Sequence, residues 1–124
     1  MAYLATLRDI TDRKRAEEML WLYDRAIAAT STGVTISDAT HPEHPIIYCN
    51  PAFESMTGYR REEILGKNCQ FLQGSETDPV AVEIIRKALQ TKSECKVIIK
   101  NYRKDGTTFW NCFSLSPVRD KQAN

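Results

Sequence analysis

A chain of 124 residues, 42% hydrophobic and 27% charged, has the size and make-up of one compact globular domain. A formal net charge of +1 gives no electrostatic footprint for nucleic acid or an acidic membrane. No apolar run approaches the roughly 20 residues that span a bilayer, and charges at Arg8 and Asp9 precede any apolar core, so neither an anchor nor a secretion signal is expected.

Tyr3 to Leu7 alternates like a short strand, and a helix of about 18 residues follows, with Thr11 or Asp12 able to cap it. Ala16, Leu20, Tyr23 and Ile27 are spaced four, three and four along it. That is a coiled-coil-like seam of two heptads, short for a dimer but equally suited to packing on its own domain. Gly33 to Ser37 and Ile46 to Cys49 read as strands joined by a loop with Pro42 and Pro45. Asn50-Pro51 starts a short helix that ends at Thr57-Gly58-Tyr59, and Arg61 to Gly66 is a further helical turn closed by glycine. Thr77 or Asp78 caps a longer helix with Val82, Ile85, Ala88 and Leu89 at helical spacing. Glu94 to Tyr102, the turn Lys104-Asp105-Gly106 and Thr108 to Pro117 form a hairpin. Phe109, Asn111, Phe113 and Leu115 share one face of its second strand, with Trp110, Cys112 and Ser114 on the other. Asp120 to Asn124 reads as another turn. The order predicts an α+β fold with an antiparallel sheet.

Four cysteines, Cys49, Cys69, Cys95 and Cys112, include no Cys-x-x-Cys pair, and His41 and His44 lie far from them, so a zinc site is not expected. Without a secretion signal the expected compartment is the reduced cytoplasm. Cys69 stands apart because of its neighbours. Gly66-Lys67-Asn68-Cys69-Gln70-Phe71-Leu72-Gln73-Gly74 sets a thiol between amides and beside an apolar pair. Asn111 alternates with apolar residues on a strand face, and Asn101 is set to face it across the hairpin. Amide side chains around an apolar lining suit a planar neutral heterocycle edged with carbonyls and ring nitrogens; surface amides with no ligand are the plainer alternative.

Gly66 to Gly74 closely resembles the signature of the LOV (light, oxygen, voltage) branch of the PAS superfamily. The resemblance continues through Asn50-Pro51-Ala52-Phe53, Thr57-Gly58-Tyr59, Arg61 to Leu65, Asn101-Tyr102, Lys104-Asp105-Gly106, Phe109-Trp110-Asn111 and Ser116 to Asp120, and so covers Gly33 to Asp120. It implies a PAS fold: a five-stranded antiparallel sheet with short helices on one face, preceded by a linker helix. Residues 31–124 would be the core, 12–30 the linker helix, and 1–11 a strand resembling the last strand of another PAS domain. The resemblance implies non-covalent flavin mononucleotide (FMN) in the dark and a reversible bond between the signature cysteine and flavin C4a under blue light. Carried over, Cys69 forms that bond. Asn101 and Asn111 would meet the pyrimidine edge of the ring, and Gln73 and Asn68 the cofactor's helical side. Leu72, Val82, Leu89, Phe113, Leu115 and Ser37 would line the site.

Two departures qualify the resemblance. Many members carry arginine immediately after the cysteine, where this chain has Gln70, which leaves Arg86 as the phosphate-binding guanidinium. The family's last strand also carries a glutamine near flavin N5. That strand is expected after Asp120, and the similar N-terminal segment has Leu7 at the glutamine position. A tandem-PAS origin in a bacterial signalling protein is the favoured account of this segment, over a permuted arrangement. In either case Tyr3 to Leu7 is expected to fill the vacant slot of the sheet, within the chain or exchanged between protomers. The expected function is a blue-light photoreceptor domain regulating an attached module. It is not an enzyme in itself; an output such as a histidine kinase would lie outside this chain. Expected partners are FMN and a second copy, through the N-terminal helix or strand exchange. A non-photochemical PAS domain for ligand binding or dimerisation, and a flavin redox enzyme, are the alternatives.

Overall fold

The structure, a computed structural model, describes residues 1–118; the expected turn at 120–124 lies outside the described residues. Nine elements follow in chain order: α1 (Thr11–Ala29), β1 (Thr35–Ser37), β2 (Ile46–Cys49), α2 (Pro51–Thr57), α3 (Arg61–Ile64), a 3-10 turn (Cys69–Leu72), α4 (Pro79–Thr91), β3 (Cys95–Tyr102) and β4 (Thr108–Leu115). This is the α+β arrangement read from the pattern, with most boundaries within two residues.

Local chemistry explains each terminus that frames the site. Asn50 caps α2 by accepting from Phe53 N at 3.1 Å, Pro51 takes the first turn, and Gly58 closes the helix at φ 78°. Asp78, not Thr77, caps α4, accepting from Val80 N at 2.9 Å. Thr77 instead donates to Lys100 O at 2.8 Å and so fastens the start of α4 to β3. The β3–β4 turn uses Gly106 at φ 88°, and Asp105 accepts from Thr107 N at 2.9 Å. Neither Thr11 nor Asp12 caps α1, since both lie inside it and Ile10 before it has no capping side chain; Asp9 Oδ1 instead accepts from Thr11 N at 2.9 Å.

The expected five-stranded sheet is not formed among the described residues. β1 pairs only with β2, and β3 only with β4, both antiparallel. Tyr3 to Leu7 is not a strand: Tyr3, Leu4 and Leu7 are 88%, 91% and 94% exposed, and no described strand pairs with them. Alternation over five residues supplies no stability without a partner edge, and the segment lies against neither hairpin. The first strand is also shorter than Gly33 to Ser37, because the Val34 amide bonds to a side chain and not to a strand partner. Val34 N donates to Asn50 Oδ1 at 2.8 Å.

Burial divides the interior in two. Ile46, Cys49, Phe53, Ile64 and Leu72 form one cluster, under β2, α2 and the 3-10 turn. Ala81, Val97 and Ile99 form another, where α4 packs on β3. α1 buries none of its side chains, and Leu20, Trp21, Leu22 and Tyr23 are all exposed. No helix among the described residues is long and apolar enough to cross a membrane.

Candidate functional site

Between the two clusters lies a cavity of ≈ 790 Å³, walled by β1, the 3-10 turn, α4, β3 and β4. That volume falls within the roughly 300–1,000 Å³ of small-molecule sites. β2 positions the cysteine wall. Ile46 N donates to Lys67 O and Gly66 N to Ile46 O, each at 2.8 Å, with Gly66 at φ 88°. Asn68 then caps the 3-10 turn through Gln70 N at 2.9 Å, and Cys69 becomes the turn's first residue.

Cys69 is half-buried and faces β1, with Sγ 4.0 Å from Thr35 Oγ1. Burial pushes its thiol above the ordinary value, and the Thr35 hydroxyl opposes that only in part. The sulfur therefore keeps its proton at neutral pH. Across the hairpin, Asn101 is buried and donates to Leu72 O at 3.3 Å, while Asn111 donates to Asn101 Oδ1 at 3.0 Å. The register pairs Ile99 with Asn111 and Asn101 with Phe109, so the two asparagines meet diagonally on one face. Asn111 Oδ1 has no hydrogen bond among the described residues.

All thirteen residues singled out from the sequence border this cavity: Ser37, Asn68, Cys69, Gln70, Leu72, Gln73, Val82, Arg86, Leu89, Asn101, Asn111, Phe113 and Leu115. Their availability differs. Asn68 is occupied at both ends, since its Nδ2 also donates to Glu43 O at 2.7 Å. Arg86 is forked onto Glu83, with Nε–Oε2 at 3.0 Å and Nη2–Oε1 at 2.7 Å. Thr35, His44 and Arg103 are among the lining residues that the sequence reading did not single out. Thr35 was accessible to it, because it sits two residues before Ser37 and so on the same strand face. His44 reaches the cavity from a loop at φ 48°, and no local pattern signals that. Arg103 donates to Met56 O at 3.0 Å and Thr108 O at 3.2 Å, and its Cζ lies 4.7 Å from the Phe109 ring centre.

This lining fits a flavin. The lining joins the hydrogen-bonded amides of Asn101 and Asn111, hydrocarbon from Leu72, Val82, Ile99 and Phe113, and a protonated thiol. Among the described residues no group of three His, Cys, Asp or Glu is set to hold a metal.

Comparison with known proteins agrees. The PAS domain family matches residues 31–124. A blue-light photoreceptor of Listeria monocytogenes is 48% identical over 96 residues, 77% of this chain and 38% of that protein. Phototropin-1A of Oryza sativa is 47% identical over 96 residues, but those are only 10% of its length. This chain thus spans well under half of the curated relatives it matches. Among solved structures, the LOV domain of the Erythrobacter litoralis EL346 blue-light-activated histidine kinase superposes with TM-score 0.70 at 47% identity, over 73% of this chain and 83% of that one. An RNA-binding Light-Oxygen-Voltage receptor superposes with TM-score 0.82 at 38% identity, over 97% of this chain and 34% of that one. A thiol-bearing signature turn opposite paired asparagines, on a fold shared with these proteins at such identities, makes the chain a LOV domain of the PAS superfamily.

Proposed function

We propose that the domain binds FMN in the cavity and reports blue light through a reversible bond between Cys69 Sγ and flavin C4a. The observation that carries this reading is a protonated, half-buried thiol bordering an amide-and-hydrocarbon cavity. The excited flavin supplies the reactivity, so Cys69 needs no depressed pKa. With a flavin bound, Cys69 would supply both the sulfur for the bond and, from its own thiol, the proton that the reduced ring takes up, and would recover that proton when the bond breaks in the dark. Confinement in the cavity makes this encounter local. Asn101 and Asn111 would orient the ring by its polar edge, and Leu72, Val82 and Phe113 would exclude water from its faces.

The bond's formation would regulate an attached module, as the light-activated kinases among the relatives suggest. The exposed apolar run of α1 supports a linker role and a second copy as partner. The charge balance of this domain does not decide what an attached module binds, since one relative is an RNA-binding receptor. The test is a visible spectrum taken before and after blue light. The flavin band should bleach and recover in the dark. Cys69→Ala should keep the colour and lose the bleaching; a bleaching alanine variant with a thiol-type product spectrum would end the assignment.

A further inference from the structure

Two arginines border the cavity, Arg86 on α4 and Arg103 just after β3, and neither is free. Arg103 is engaged by the carbonyls of Met56 and Thr108 and stacked on Phe109. Arg86 is held in a two-pronged pair by Glu83, one turn before it on α4. Gln70, another polar residue bordering the cavity, has no charge. The fixed charge that a phosphate would meet at Arg86 is therefore close to cancelled. The Arg86 and Glu83 side chains are 58% and 48% exposed, so parting them costs little. The Glu83 carboxylate nevertheless stays within a helical turn of any phosphate that Arg86 accepts, and it repels that phosphate.

We propose that Glu83 is a specificity-determining residue that neutralises Arg86, so that the cavity selects the flavin ring rather than its phosphate and takes riboflavin about as readily as FMN. This rests on the flavin-binding reading above. The ring-side groups, Asn101, Asn111, Leu72 and Phe113, are common to both ligands, and only the rim tells them apart.

The experiment is a titration of the flavin-free chain with FMN and with riboflavin, followed by flavin fluorescence at low and high salt. Affinities within about tenfold of each other, with little salt dependence for FMN, are expected. Glu83→Gln should tighten FMN about three- to tenfold and leave riboflavin unchanged, since it removes one exposed charge. Gln70→Arg, which adds a cation to the cavity lining, should act in the same direction. Circular dichroism of each variant checks that α4 is intact. FMN binding more than about a hundredfold tighter than riboflavin in the unaltered chain would overturn the proposal while upholding the flavin reading. So would a Glu83→Gln variant that shifts both ligands equally or neither. Failure of both flavins to bind would overturn the flavin reading and this proposal together.

Discussion

Cys69 holds its proton because its sulfur has left water for a cavity wall with one hydroxyl, that of Thr35, within reach. Cys112, on the outer face of β4, is exposed. The expected order of alkylation is therefore Cys112 well before Cys69 and Cys49, read by mass spectrometry at mildly alkaline pH. Equal rates at Cys69 and Cys112 would contradict the burial described. The same shift makes a statement about stability. The folded chain binds the Cys69 proton more tightly than the unfolded chain, whose thiol titrates near 9.0. Its contribution is complete below that pH and is lost as pH rises through the folded value. Cys69→Ala should therefore flatten the alkaline limb of a stability-versus-pH curve, with Cys49 and Cys95, whose thiols burial also pushes up, contributing to the slope that remains.

Between elements, single side chains take the place of extensive packing. Asn50 is fully buried and makes four bonds: it accepts from Val34 N and Phe53 N and donates to Ile27 O and Thr32 O. It thereby joins the end of α1, the run into β1 and the start of α2. Asn50→Ala leaves several of these groups unpaired, and a loss of about 2–4 kcal/mol is expected in urea unfolding. Gly74 has a different role. A methyl group there would run into the Tyr102 ring, whose hydroxyl accepts from Glu76 N at 2.8 Å. Gly74→Ala should cost about 1–3 kcal/mol, and Tyr102→Leu should relieve part of it, as a double-mutant cycle would show. Features of this kind also mark how much of the molecule was legible in its sequence. Caps at Asn50 and Asp78, the Gly106 turn and the alternation of Phe109 to Leu115 are local chemistry and were readable. So was the gathering of the asparagines, because hairpin register follows from its turn. The 3-10 turn at Cys69, the approach of Thr35 to its sulfur and the Glu83 grip on Arg86 depend on how distant segments or rotamers settle. Tyr3 to Leu7 shows the limit most clearly: an alternating pattern states what a strand would bury, but not whether an edge is there to receive it.

At the scale of the whole molecule, two small apolar clusters flank a cavity, and few elements cross from one to the other. The bridging groups are side chains on its walls: Leu72 and Cys69 on one side, and Val82, Ile85 and Phe113 on the other. The two hairpins share no strand ladder among the described residues, so cooperativity between the halves must pass through this wall and through single contacts such as Arg103 to Met56 O. A flavin filling the cavity would touch both clusters at once and act as their common core. Binding to the folded chain alone stabilises it by about 2.7 kcal/mol at a hundredfold excess over Kd. For a domain of this size that corresponds to a rise in Tm of several degrees, about 4–8 °C per kcal/mol for 60–100 residues and somewhat less here. Because the ligand contacts both halves, the transition should also sharpen. Hydrogen exchange should slow in β3 and β4 and in the 3-10 turn together, rather than in one of them. Protection confined to one hairpin would mean that the ligand sits on one cluster, and that the two halves do not communicate through the cavity.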